Sequence, residues 1–303
     1  MNKTAYAHSS ANVRKTWFLM TLFFVIVIAI GWAVSFYYQS SAILYVAVAL
    51  ALVGNLVSFF YSDKIALSST GAKPADKNNP VHLRAIRATE NMAITAGIPK
   101  PPVYIIDDRA PNAFATGRGP KHAAIAYTTG ILDLLDKSEL EGVAAHEISH
   151  VKNRDTLVMT VVVVLVGFIA IIGDLFVRGS LLGASNRSDS KAGGYLVIVG
   201  IVFAIAAPFI AQLIQLAISR KREFLADSSG VLLTRHPDAL ASALEKISGQ
   251  NIGVKRVNSA TAHLFIANPF GDGKKGSGGF SKLFATHPPV EERVAALRGM
   301  DKG

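Results

Sequence analysis

Four stretches of the chain stay apolar for the length of a bilayer crossing: Trp17–Tyr38, Ala42–Tyr61, Thr156–Val177 and Tyr195–Ile218. A helix needs about 20 such residues to cross the hydrocarbon layer. The first, second and fourth carry no Asp, Glu, Lys or Arg, and the third carries only Asp174, near its end. As buried core helices they would leave too little polar chain to cover them. The pattern therefore predicts four transmembrane helices in two hairpins. The first run is longer than the roughly 7–15 apolar residues of a signal peptide, and a second span follows almost at once. It reads as an uncleaved anchor.

Removing the spans leaves two polar blocks, Ser62–Asp155 and Ser219–Gly303, enough for one globular domain interrupted by a membrane hairpin. The predicted organisation is an N-terminal hairpin (1–61), a first domain part (62–155), a second hairpin (156–218) and a second domain part (219–303). Leu67–Pro80 reads as a linker. Val81–Ala96 has helical spacing at Leu83, Ile86, Met92 and Ile94, with Gly97 placed to cap it and Pro99 beyond. Val103–Ile106 and Ala123–Thr129 are short β-type runs, with a loop over Asn112–Gly117. Near Asp136 a helix begins. Ser138 is placed as its N-cap, with Glu141 three residues on. Leu140, Val143, Ala144, Ile148 and Val151 form its core face. Arg222–Val231, Pro237–Ser248 and the segment after His287-Pro288-Pro289 read as further helices, and Gly271–Gly279 reads as a mobile loop.

Composition sharpens this picture in two places. The chain of 303 residues is 50% hydrophobic, with a mean hydropathy of +0.36 and a net charge of +10. The excess positive charge flanks the spans rather than forming a nucleic-acid patch, so no nucleic-acid partner is expected. Lys3, Arg14 and Lys15 precede the first span, and Lys64, Lys73 and Lys77 follow the second. Arg220, Lys221 and Arg222 follow the fourth. Positive residues mark the cytoplasmic side, which places both termini and both polar blocks inside. The chain has no cysteine. Disulfides and Cys-ligated zinc are excluded, so a metal must use His and carboxylate.

Such a set exists. His146-Glu147-Ile148-Ser149-His150 reads H-E-x-x-H on the predicted helix. Positions i and i+4 share a face, so both imidazoles can meet one ion, and the glutamate can serve as base toward a metal-bound water. A chance match has odds on the order of one in a hundred, so the motif needs support. A catalytic zinc takes three protein ligands. Glu223 is favoured as the third, because the inner ends of the second hairpin would bring it beside the histidines. His236 is the rival. Asp227, one turn after Glu223, could accept the outer N–H of a ligand histidine. Gln212, Ser219 and Glu223 share an arc of the fourth span, with Gln215 beside them. They suggest polar glue between helices, which is common in membranes, or else a partly wet notch.

The stretches Asn112-Ala-Phe-Ala-Thr-Gly117, His146-Glu-Ile-Ser-His-Val-Lys-Asn-Arg-Asp155, Arg222-Glu-Phe-Leu-Ala-Asp227 and Thr286-His-Pro-Pro289, followed by Arg293, together resemble the HtpX-type integral-membrane zinc metalloproteases. The resemblance spans nearly the whole chain. It implies a mainly α fold with a small β-sheet, in which a four-helix transmembrane region carries a cytoplasmic zincin-like metalloprotease domain. It implies one Zn2+ per chain on His146, His150 and Glu223, with Glu147 as base. It also implies a bacterial cytoplasmic membrane location and damaged or misfolded membrane proteins as polypeptide substrates. His287 and Arg293 are then candidates to stabilise the oxyanion. Asn112 and Phe114 are candidates to bind an extended substrate by β-addition. The competing readings are a prenyl-protein peptidase, which four spans are too few to enclose, and a non-proteolytic metal-binding scaffold or transporter. A transporter would want ionisable groups near mid-span.

Overall fold

The computed structural model describes residues 5–184, 220–257, 261–270 and 288–300. The predicted fourth span, its Gln212–Gln215 stripe, the Gly271–Gly279 loop and His287 lie outside the described residues.

Two long helices open the chain, α1 (Ala5–Tyr38) and α2 (Ser41–Thr70), packed as a hairpin. Both are long and apolar enough to cross a membrane, with windows of mean hydropathy 2.0 and 2.3 that are each only 22% buried. Trp32, Phe36, Tyr45, Leu52, Val53 and Leu56 stand half or more exposed. Outward apolar surface of this extent on adjacent helices matches a pair that crosses a bilayer. The third run lies in α6 (Asp155–Ala184), which is helical for 30 residues, well beyond the predicted span.

The polar blocks supply a four-stranded sheet and its helices. The strands are β1 (Lys73–Pro74), β2 (Val103–Ile106), β3 (Ala113–Gly117) and β4 (Ala123–Thr128), in the order β1-β2-β4-β3. β2 and β4 are parallel, while β3 returns antiparallel along β4 with Phe114 opposite Ala126. Two expectations change here. Asn112–Gly117 is a loop only at its first residue; the rest is a fully buried strand. β3 is therefore one edge of the sheet, with β1 the other and β4 an inner strand. The linker, too, holds the last turn of α2 and β1.

One face of the sheet (Val103, Ile105, Ala113, Ala115, Ile125, Tyr127) joins the main core. That core also contains α3 (Pro80–Ala96), α5 (Lys137–Lys152), α7 (Arg220–Thr234), α8 (Pro237–Gly249) and α9 (Val290–Met300). The other face (Tyr104, Ile106, Phe114, Ala124, Ala126) packs on α2 and α6 through Ala66, Leu67, Met159 and Val163. The sheet is thus a layer between the long apolar helices α2 and α6 and the helices of the polar blocks. Burial on both faces is why its strands read as continuous apolar runs rather than alternating ones.

The helix signals hold with adjustments. Asn79 caps α3 and accepts from Val81 and His82, Pro80 takes the first helical position, and Gly97 closes the helix in the left-handed conformation. Its buried face is mostly alanine, and Ile94 is 71% exposed rather than in the core. The cap of α5 is Asp136, not Ser138. Its carboxylate accepts from the Glu139 N–H, and the Glu139 side chain accepts in return from the Asp136 N–H. A short helix, α4 (Thr129–Leu134), follows β4 where none was predicted.

Candidate metal centre

The α5 cap fixes the phase of the helix that carries the motif. Its core face buries Leu140, Val143, Ala144, Ile148 and Val151, as the periodicity predicts, and His146 and His150 turn their edges toward α7. α7 approaches closely because Gly230 lies against the backbone of His146: a methyl there would sit 3.2 Å from the His146 nitrogen. Glu223 and Asp227 precede Gly230 on the same face by two turns and one turn.

The result is a tight donor set. His146 Nε2 and His150 Nε2 are 3.1 Å apart. The Glu223 carboxylate oxygens lie 3.8 Å from His146 Nε2 and 3.6 Å from His150 Nε2. A tetrahedral zinc with ligands at about 2.0–2.2 Å separates its donors by about 3.3–3.6 Å. The set therefore has zinc spacing, and all three residues are buried.

The outer nitrogens explain the orientation. His146 Nδ1 is 2.8 Å from Asp227 Oδ1, and His150 Nδ1 is 3.1 Å from Asp155 Oδ2. Each carboxylate takes the Nδ1 proton and so turns the Nε2 lone pair inward. Two such lone pairs 3.1 Å apart repel unless a positive charge lies between them. Burial lowers His146 to about 4, against the pull of Asp227. Burial also disfavours charge on His150, but Asp155 and Glu223 overcome it and lift the group to about 9.

The surrounding charges are fixed as well. Arg293, 1% exposed, grips Asp227 with both arms, Nε to Oδ2 at 2.8 Å and Nη2 to Oδ1 at 2.6 Å. Its Nη1 donates to the Ile266 carbonyl and lies 3.9 Å from Glu223. Burial opposes ionisation of Asp227, but Arg293 outweighs it and holds the carboxyl at about 2. Glu147 is buried beside the set. Burial chiefly raises it to about 7, although His150 and a hydrogen bond from the Ala115 N–H on β3 pull the other way.

Most of the predicted residues therefore converge. His146, His150, Glu223, Glu147, Asp227 and Arg293 form one cluster. His236, the rival ligand, caps α8 instead. Asn112 and Phe114 are buried, and their side chains do not line the metal set. Asn112 clasps the Ala267 backbone, and Phe114 packs edge-on against Phe265. The backbone of β3 reaches the site through Ala115.

Two residues were missed. Asp155, which orients His150, stands five positions after it, a spacing that carries no helical-face signal across a helix break. Asn12 of α1 donates to Asp155 Oδ1 at 2.8 Å and to the Asn153 carbonyl at 2.9 Å. Nothing in the sequence links it to a residue more than a hundred positions away.

Two histidines one turn apart, a carboxylate from a second helix and a buried glutamate between them define a zinc metallopeptidase. Comparison with known proteins agrees. The model of Peptidase family M48 matches residues 82–301, and the chain belongs to that family. It is 45% identical to a protein described as Protease HtpX homolog from Thermoanaerobacter pseudethanolicus, over 98% of each chain. It is 40% identical to a protein of the same description from Streptococcus gordonii, over 96% of this chain and 98% of that one. The crystal structure of S. mikatae Ste24p overlays with a TM-score of 0.46 and 19% identity, over 92% of this chain and 61% of that one. That likeness is too loose to carry an argument. The cofactor is zinc, held by His146, His150 and Glu223.

Proposed function

We propose that this metallopeptidase is an endopeptidase of the bacterial cytoplasmic membrane that cleaves damaged or misfolded membrane proteins. In this reading four helices cross the bilayer in two hairpins, and the catalytic half and both termini face the cytoplasm. The observation that carries it is the position of the donor set. His150 lies five residues before the start of α6, and Asp155, the first residue of that apolar helix, orients it. The chemistry thus sits within about 10 Å of the membrane boundary, given 1.5 Å per helical residue. A substrate leaving the bilayer meets it at once.

Held by His146, His150 and Glu223, zinc would supply a Lewis acid able to bring the pKa of a water toward about 7. Glu147 is placed to accept a proton from the attacking water and to return it to the leaving amine. Its raised affinity for a proton suits both transfers. The Ala115 N–H holds the carboxylate in place and also ties it to β3, the edge strand. The outward groups of β3 are engaged, Ala113 by Ile266 and Asn112, Ala115 by Glu147 and Gly117 by Thr160, so an extended substrate adds to this edge only by displacing the Ile266 segment. Arg293 spends its donors on Asp227 and Ile266, so it positions His146 rather than contacting substrate.

Glu147→Gln is the direct test. The purified variant is expected to keep one zinc per chain and to lose cleavage of a membrane-anchored reporter by at least a hundredfold. Zinc retention with unchanged cleavage would remove Glu147 from the mechanism. Cleavage of soluble peptides only would remove the membrane-protein substrate.

A further inference from the structure

The rim where α1, α2 and α6 meet the catalytic half carries chemistry that the metal centre does not use. Several contacts fix the level of this rim. Trp17 of α1 stacks on Phe59 of α2 with ring centroids 6.0 Å apart, and Phe59 meets Phe60 edge-on at 5.2 Å. Trp17, Phe18, Phe60 and Tyr61 are each at least half exposed. In this aromatic girdle Trp17 and Tyr61 supply the amphipathic rings that mark a water–lipid boundary.

The tip of the β3–β4 hairpin folds into this girdle. The Arg118 guanidinium stands 5.9 Å from the Phe59 ring centre and 5.2 Å from that of Phe60, and it donates to the Phe60 carbonyl. Lys64 lies 5.4 Å over the Tyr61 ring. Arg154 closes in from the α5–α6 corner, where a methyl on Gly119 would sit 3.8 Å from its guanidinium. Arg14 directly precedes the girdle on α1, and Lys121 follows on the hairpin. Among the described residues, none of Arg14, Lys64, Arg118, Lys121 or Arg154 is ion-paired. Arg118 and Lys64 thus pack on aromatic rings at this rim, Arg154 stands beside the hairpin, and Arg14 and Lys121 flank it in sequence. The ligand of matching chemistry at that level is a phosphate diester carrying a net negative charge.

We propose that this collar binds the headgroups of anionic phospholipids, and that lipid held there steadies the catalytic strand. The hairpin that carries Arg118 continues directly into β3, whose Ala115 N–H holds Glu147. The Gly117 N–H, one residue before Arg118, is pinned to Thr160 of α6. The lipid contact and the general base are thus three residues apart along one strand. The proposal rests on the reading that these helices cross a bilayer.

The test uses the full-length zinc protein in nanodiscs of phosphatidylcholine, with and without phosphatidylglycerol. Spin-labelled lipids report which headgroup is immobilised at the protein. The native protein is expected to select phosphatidylglycerol about tenfold over phosphatidylcholine, since each cation near the surface favours anionic lipid severalfold. Added salt should weaken the preference. Peptide cleavage should rise with the anionic fraction. R118Q/K121Q should lose both the selectivity and the rise while matching native cleavage in pure phosphatidylcholine, and R118K/K121R should restore them. Equal selectivity in the native protein and R118Q/K121Q would overturn the proposal. So would a rise reproduced by inorganic phosphate in phosphatidylcholine discs. Failure of the native protein to enter nanodiscs at all would overturn the membrane reading, and this inference with it.

Discussion

Each ligand histidine depends on one carboxylate, and the two carboxylates are held differently. Asp227 is clamped by Arg293, a neighbour within the catalytic half. Asp155 is clamped by Asn12, a residue of the first membrane helix. Asn12→Leu should therefore free Asp155 to turn from His150, leaving the fold intact while lowering zinc affinity about tenfold. Loss of a partner behind a metal ligand has that scale. Chelator titration of the purified variant measures it, and affinity equal to the native value would sever α1 from the metal centre. At this scale the sequence was informative where chemistry repeats on one helix face. His146 and His150 were legible from i, i+4 spacing, Glu147 from its place between them, Glu223 from the ends of the second hairpin, and Asp227 from its i+4 relation to Glu223. Asp155 and Asn12 were not, because their relation to the motif exists only after three helices have packed.

The element that decides the site is α7, because its distance from α5 sets the gap between Glu223 and the histidines. Gly230 permits that distance. Gly230→Val would need several tenths of an ångström between two packed helices, a strain of about 1–3 kcal/mol. It should lower zinc content before it lowers helix content, and full zinc loading would show that α7 is not the limiting spacer. The start of α5 offers a second test. Hydrogen bonding from the Glu139 N–H holds the Asp136 carboxyl below its ordinary range. Burial would raise Glu139, but Lys246, Ser242 and the Asp136 N–H outweigh it and hold it low as well. Groups with depressed folded values stabilise fully above their unfolded values, near 4, and lose that contribution as pH falls through the folded ones. Asp136→Ala should cost about 1 kcal/mol at neutral pH. The gap between its melting temperature and the native one should narrow below pH 4. Caps and amphipathic faces were legible along α3, α5 and α8. β3 was not: Ala-Phe-Ala-Thr-Gly has few β-branched residues and no alternation, and it is a strand because two layers bury it.

At the scale of the molecule, the division into membrane and catalytic parts follows hydropathy in sequence but not in packing. The polar blocks alone looked like enough for a globular domain. In the structure, one face of their sheet is covered by their own Ala66, Leu67, Val254, Leu264 and Phe265 together with Met159 and Val163 of α6. Joining 62–155 to 219–303 without the hairpins would strip Met159 and Val163 from over Ile106, Phe114, Ala124 and Ala126. Such a fragment is expected to aggregate when expressed as a soluble protein. A monodisperse, zinc-loaded fragment would refute that dependence.

The shared sheet also has a consequence for the life of the chain in a cell. An enzyme whose catalytic wall leans on its own membrane anchor cannot mature on the ribosome ahead of insertion. The nascent chain is therefore expected to lack peptidase activity until α6 has packed against the sheet. A chain that misses the membrane is left as a substrate for degradation rather than as a loose peptidase.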